Sequence, residues 1–323
     1  MARIGILVTG ASGFVGKNLV LELAKTKVTR ILVRRTSNVE AFKHNKNIEI
    51  FFGDIENGEG LGQSLDGIEG VIHCAARTTG RCFDDYYISN VVGTVNLIAA
   101  MERESVRKLL YLSSQAVSGT TDKKKPVNED DKPIAYSYYG RSKQLAEDLV
   151  TASSLDYIIL RPPSVYGPHD VEMFKYIMML NSGFCPIVGS GEKYFSFMHV
   201  SDLVRLIIKL TSNGFFNRRI YFTNDGNCYS FNETVRAIMQ ALDKRPPIKI
   251  NIPTAVCMFC GLLSDVFLNE KRVICRDKVR ELARDYWLCS NERLTREIDF
   301  KPQYNLANGM ADTVRWYRRN GWL

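Results

Sequence analysis

Thr9-Gly-Ala-Ser-Gly-Phe-Val-Gly16 follows directly on the apolar run Ile4-Gly-Ile-Leu-Val8 and opens a segment, Phe14–Ala24, whose apolar residues are spaced for a helix. The order is strand, glycine turn, helix. Glycine at 10, 13 and 16 permits a tight turn, close approach of the backbone to a pyrophosphate, and close packing of helix on strand. Free N–H groups and positive potential at the helix start suit phosphate. A glycine pattern alone is weak, and this one is spaced GxxGxxG rather than GxGxxG. Its position between strand and helix is what makes it read as a dinucleotide cradle.

Working outward, β-rich runs recur at Val28–Arg34, Ile48–Phe52, Gly70–Ala75, Lys108–Ser114 and Tyr157–Arg161, with helical patterns at Val91–Glu104 and Tyr139–Ser153. Several runs are apolar throughout, as expected of strands covered on both faces. The alternation predicts an α/β fold, a Rossmann-type doubly wound parallel sheet with its ligand crevice at the carboxyl ends of the strands. Beyond Pro162-Pro163 and the Gly167-Pro168 turn the alternation stops. Residues 1–165 are therefore expected to form the dinucleotide-binding domain and 166–323 a smaller C-terminal substrate-binding domain. Arg219–Thr223 reads as a late strand returning to the main sheet, and Thr120–Pro133 as an exposed loop.

With 323 residues, 45% hydrophobic and 24% charged, the chain can bury a core without disulfides or metals. The net charge of +8 is spread along the chain, with a single run of three at Lys123–Lys125, which fits a phosphate-bearing small molecule better than nucleic acid. The eight cysteines show no framework spacing and are expected to be reduced, in a cytoplasmic setting. Cys257-Met-Phe-Cys260 lacks a second pair at zinc-ribbon spacing, so no metal is expected. Neither a secretory leader nor a membrane-spanning run is read in the sequence.

Tyr139-Gly-Arg-Ser-Lys143 places a phenol and an ammonium one helical turn apart on the same face. The ammonium favours phenolate, making a tyrosine usable as a general acid/base. Surface Tyr/Lys pairs at this spacing are common, so its weight comes from following a strand that ends in Ser113-Ser114 in a chain that carries the cradle. One of these serines, Ser113 or Ser114, would donate a hydrogen bond to a substrate oxygen. After the second strand stand Arg34 and Arg35 rather than a carboxylate. A guanidinium there pairs with a 2′-phosphate, which favours NADP(H) over NAD(H). Asp54 is a candidate partner for the adenine amine, or simply a loop or N-cap aspartate.

Together these residues resemble the extended short-chain dehydrogenase/reductase family, which includes NAD-dependent epimerases and dehydratases and a 3β-hydroxysteroid dehydrogenase-like branch. Val71-Ile-His-Cys-Ala-Ala76, Asn90-Val-Val-Gly-Thr-Val-Asn96, Leu112–Gly119, Arg161-Pro-Pro-Ser-Val-Tyr-Gly-Pro168 and Phe197-Met-His-Val-Ser-Asp-Leu203 are similar to its later segments. The resemblance implies Ser114, Tyr139 and Lys143 as catalytic residues. It implies cofactor contacts from Gly10, Ser12, Gly13, Phe14, Val15, Gly16, Arg34, Asp54, Ile55, Ala75, Ala76, Asn90, Tyr139, Lys143 and Pro162. A homodimer through residues 84–104 and 139–153 is implied in the same way.

Two departures bear on substrate. Ser164 stands where nucleotide-sugar enzymes of this family usually carry Asn, and Phe195 where they usually carry the arginine that pairs with a diphosphate. Both are read as substrate-binding residues, and the loss of a guanidinium tilts the reading towards an apolar ketone or alcohol. Phe195 packing in the core, with Lys193 or Arg205 holding a phosphate instead, stays open. So do two other readings of the whole chain: a nucleotide-sugar epimerase or dehydratase that recycles its NAD, and a non-catalytic nucleotide-sensing scaffold. The apolar stretch Pro253–Leu268, with basic residues following to Arg280, reads as a lid, or as a segment touching an anionic membrane surface through 253–280. His73 and His199 are read as structural.

Overall fold

The computed structural model describes residues 5–120, 125–189, 192–212, 214, 216–258 and 276–323. The chain divides into two compact units. The first is assembled from three stretches, residues 1–117, 141–161 and 203–221, and the second from 118–140, 162–202 and 222–323.

The first unit is built on a seven-stranded sheet. Its strands are β1 (Ile6–Thr9), β2 (Thr29–Val33), β3 (Ile48–Phe52), β4 (Gly70–His73), β5 (Lys108–Leu112), β6 (Asp156–Arg161) and, beside β6 at the edge, Arg219–Phe222. Across the sheet the order is Arg219–Phe222, β6, β5, β4, β1, β2, β3, and β1 to β6 pair in parallel. The chain runs outward from β1 to β3 and then crosses back to β4, so the sheet is doubly wound about β1 and β4. The continuous apolar runs are explained by helices on the sheet faces. On one side Leu7, Val71, Leu109 and Ile159 pack with Leu97 and Met101 of the helix Gly93–Arg103 and with Ala146 and Val150 of the helix Tyr138–Ala152.

The strands lie within a residue or two of the positions read from the sequence, and Arg219–Phe222 does rejoin the main sheet. One difference has a clear cause. The expected helix at Val91–Glu104 is regular only over Gly93–Arg103, and Tyr87–Val92 forms a wider π-helical turn. A π turn inserts one extra residue and so breaks the 3.6-residue spacing.

Among the described residues the second unit carries three small sheets. Ser164–Tyr166 pairs in parallel with Phe197–His199, Ile248–Ile252 in parallel with Phe184–Val188, and Tyr194–Phe195 lies between Tyr229–Ser230 and Tyr286–Trp287. The helices Val171–Asn181, Phe231–Leu242 and Leu306–Arg319 enclose a core of Ile177, Leu180, Ile238, Met310 and Tyr317. A reciprocal capping box between Ser230 and Glu233 starts the second of these helices. Most of Pro253–Leu268 and the basic residues to Cys275 lie outside the described residues, as does Cys260. Among the described residues no helix is long and apolar enough to cross a membrane, and no group of side chains is arranged to hold a metal.

Candidate active site

In the first unit the parallel strands bring their carboxyl ends to one edge. The cradle follows β1, Arg34 follows β2, Asp54 and Ile55 follow β3, Ala75 and Ala76 follow β4, and Ser114 follows β5.

The cradle is tight. Gly10 has φ +72°, and a Cβ there would sit 2.4 Å from the backbone nitrogen of Ala75. A Cβ on Gly16 would come within 2.1 Å of the Gly10 carbonyl oxygen. Both positions are closed to any side chain by the protein's own backbone. The helix Phe14–Leu23 begins with Gly13 as N-cap, no side chain caps it, and its first turn holds no acidic residue. Its N-terminal donors and positive end therefore stand ready for an anion. Ser12 and Gly13 are exposed, while Phe14 and Val15 are half-buried. These features fit a pyrophosphate-bearing cofactor held by Gly10 to Gly16.

Further along the edge, Arg34 is exposed, and Arg35 is exposed, with a 3.6 Å ion pair to Glu59 and its guanidinium 5.9 Å from the centre of the Phe52 ring. Asp54 accepts the Glu56 N–H at 2.9 Å through Oδ1, a local turn bond that leaves its second oxygen for another partner. Ile55 packs on the core beneath Gly93.

Tyr139 stands in the first turn of the helix Tyr138–Ala152, where Ser137 accepts the Gly140 N–H at 3.0 Å, and Lys143 lies one turn on. Lys143 is 1% exposed. Its Nζ donates to the Leu112 carbonyl at 2.7 Å and sits 4.1 Å from the centre of the Tyr111 ring. Burial pulls the ammonium down to about 7, with Glu147 and then Cys74 holding it up against that pull. Two turns on from Tyr139, Glu147 receives the Arg161 guanidinium through contacts of 2.6 to 3.2 Å, both groups being buried. The two serines separate cleanly. Ser113 is buried, its N–H given to the Leu160 carbonyl, and its hydroxyl has no hydrogen-bond partner among the described residues. Ser114 is half-buried and its Oγ accepts the Ala116 N–H at 3.2 Å, leaving its own proton to give.

His73 is held in a buried chain of contacts that no local motif announced. Its Nδ1 lies 2.6 Å from the Thr9 hydroxyl and its Nε2 3.2 Å from that of Thr94. Thr94 gives its proton to the Asn90 carbonyl, so it accepts from Nε2–H, and Thr9 donates to Nδ1. Burial first, then the Lys143 charge, lowers His73 to about 3, so the ring is neutral. This imidazole ties the ends of β1 and β4 to the helix, the structural role expected of it. Asn90 makes both amide ends work on protein: Oδ1 accepts the Arg77 N–H, and Nδ2 donates to the Arg77 carbonyl and to Ser142 Oγ. It fixes the chain just beyond Ala75 and Ala76.

Tyr139, by this division, and the remaining expected residues belong to the second unit. Pro162 is buried just beyond β6, and Ser164 is exposed at the start of its strand. Phe195 is half-buried between Tyr229 and Trp287 and packs beside Phe197 at 6.1 Å between ring centres. Lys193 is 5% exposed, with Nζ on the Arg284 carbonyl at 3.1 Å and on Asp285 at 3.2 Å.

Glu147, Arg161, Thr9 and Thr94 were not singled out from sequence. A carboxylate four residues past Lys143, and an arginine ending the next strand, were the signals available.

Residues 6–221 match the model of the NAD dependent epimerase/dehydratase family. The ceramide reductase of Caulobacter vibrioides is 27% identical, spanning 100% of this chain and 97% of that relative. The UDP-glucose 4-epimerase of Vibrio cholerae is 32% identical across 77% of this chain and 78% of its own. Among solved structures, MoeE5 in complex with UDP-glucuronic acid and NAD has a TM-score of 0.78 at 25% identity, covering 98% of this chain and 99% of that one. With a glycine cradle closed to side chains at the end of β1 and a family match over more than half its length, the chain belongs to the NAD-dependent epimerase/dehydratase family of extended short-chain dehydrogenases/reductases and is an NAD(P)-dependent enzyme of that family.

Proposed function

We propose that the chain is an oxidoreductase moving hydride to or from a secondary alcohol or ketone carbon of a rather apolar substrate, with NADP(H) preferred to NAD(H). When bound, the nicotinamide supplies or takes the hydride. Tyr139 gives a proton to the substrate oxygen in reduction and takes it back in oxidation. Lys143 favours the phenolate and holds the nicotinamide ribose, and Ser114 donates to the same substrate oxygen as charge builds there.

The observation that carries the substrate reading is the state of Lys193. In Gly189–His199 the family's diphosphate-binding arginine is replaced by Phe195, and Lys193 is buried and already neutralised by Asp285. A diphosphate would meet no free cation from this residue, and leaving its charge unpaired is costly. Similarity to a ceramide reductase over nearly the whole of both chains supports the same branch. The second reading, an epimerase that recycles its hydride, is favoured by the higher identity to a UDP-glucose 4-epimerase over a shorter span.

Cofactor behaviour separates the two. Incubated with NADPH and a panel of long-chain and cyclic ketones, the full chain should consume one cofactor per product, read as lost absorbance at the reduced-nicotinamide band. Turnover of a UDP-sugar with no net absorbance change would overturn the oxidoreductase reading in favour of the epimerase.

Cofactor preference has its own test. Arg34→Ser should weaken NADPH binding about tenfold or more, the ~1.5 kcal/mol of a charge-assisted hydrogen bond, while leaving NADH binding unchanged. Equal losses for both cofactors in titration calorimetry would remove the 2′-phosphate role.

A further inference from the structure

Lys143 is a cation placed where cations are not stable. Solvent barely reaches it, its ammonium has the Leu112 carbonyl and the Tyr111 ring as near neighbours, and no carboxylate among the described residues forms an ion pair with it. Burial works to strip its proton. The ionisable groups around it come from several elements. Cys74 follows β4, neutral His73 ends β4, Tyr111 lies on β5, and Glu147 lies one turn along its own helix. Of these, Glu147 is the strongest influence holding the proton on. Glu147 is itself buried, and Arg161 on β6 grips its carboxylate through both oxygens.

We infer that the buried Glu147–Arg161 pair is a positioning element of the active site: Arg161 holds the Glu147 carboxylate in place along the helix, and that carboxylate, one turn from Lys143, supports the ammonium for its work on the cofactor ribose and on Tyr139. The carboxylate touches no reacting atom. Its field acts through Lys143, across a low-dielectric interior where a single charge is poorly screened. A pair serving the fold alone would be replaceable by apolar groups at little cost; this one sets the pH range over which the site holds its cation. The inference rests on Lys143 serving the cofactor as proposed above.

The test reads cofactor binding rather than turnover. The dissociation constant for NADPH is followed by nicotinamide fluorescence through the neutral and alkaline range for the full chain and three variants. In the unaltered chain affinity should fall with rising pH as Lys143 loses its proton. Glu147→Gln removes the supporting charge and leaves Arg161 positive nearby, so the midpoint should drop by about one pH unit or more. Arg161→Met combined with Glu147→Gln leaves no orphaned charge and guards against a simple failure to fold. Its midpoint should also move down, by less, because the repelling guanidinium is gone. Thermal midpoints are measured alongside, since a purely structural pair would lower them without moving the binding midpoint. That result in both variants overturns the inference. Lys143→Met should abolish the pH dependence altogether; if the dependence persists there, the cofactor role of Lys143 fails and the role of Glu147 falls with it.

Discussion

Tyr139→Phe should lower kcat by about 10²- to 10⁴-fold, the usual worth of a positioned acid/base, while cofactor affinity stays within about twofold. That is ~3–5 kcal/mol of barrier from one hydroxyl. The reason is local. Tyr139 lies in the first turn of a helix whose next turn is anchored, because the Lys143 ammonium is fixed on the Leu112 carbonyl and over the Tyr111 ring. Removing the phenol oxygen leaves that anchor, the cradle and the sheet untouched, so the loss should fall on kcat and not on nucleotide binding. Lys143→Met should behave differently, losing kcat and cofactor affinity together. Steady-state rates beside fluorescence titrations separate the cases. A Tyr139→Phe variant retaining more than about a tenth of the rate would remove the tyrosine from the proton-transfer step.

The second large effect belongs to the cradle. Gly10→Ala should lower cofactor affinity by more than tenfold and the thermal midpoint by at least ~2 °C. The left-handed conformation at φ +72° costs a residue with a side chain about 1–2 kcal/mol. For a chain of this size each 1 kcal/mol moves the midpoint by ~1.5 °C. The new methyl group would also lie 2.4 Å from the Ala75 nitrogen, so the ends of β1 and β4 must part where the pyrophosphate is expected. Gly58→Ala is the matched control. It has φ +80° but nothing within 4 Å of the added carbon, so it should show the conformational cost and no change in cofactor binding. If scanning calorimetry and nucleotide titration find the two alanines equivalent, close approach at Gly10 is not what binds the nucleotide.

The parts legible in the sequence share one property: their signal lies within a few residues. The apolar runs of β1 and β6 announce strands covered on both faces, and the glycines at 10, 13 and 16 carry their meaning in their spacing. Tyr139 and Lys143 are one turn apart whatever the tertiary fold. The missed features join distant positions. Thr9, His73 and Thr94 form one buried chain across β1, β4 and a helix, and each alone is an ordinary residue of its element. Glu147 finds Arg161 fourteen positions on only because their helix packs against β6. The π turn at Tyr87–Val92 was illegible for the opposite reason, since its extra residue erases the local period. The two-residue strands Tyr194–Phe195 and Tyr286–Trp287 are too short to carry any alternation.

The place of Arg219–Phe222 in the sheet has a consequence for how the chain reaches its fold. Six strands of the sheet are made by residue 161, but the strand that covers β6 is synthesised some sixty residues later. Until it emerges, β6 presents a row of unpaired backbone groups on an apolar strand, the template on which chains aggregate. The first unit is thus a non-local assembly whose closing step waits on sequence from beyond the intervening segment, and such topologies fold slowly. Production of the chain should accordingly be sensitive to temperature and translation rate, and a fragment ending near residue 165 should be the most aggregation-prone version of it.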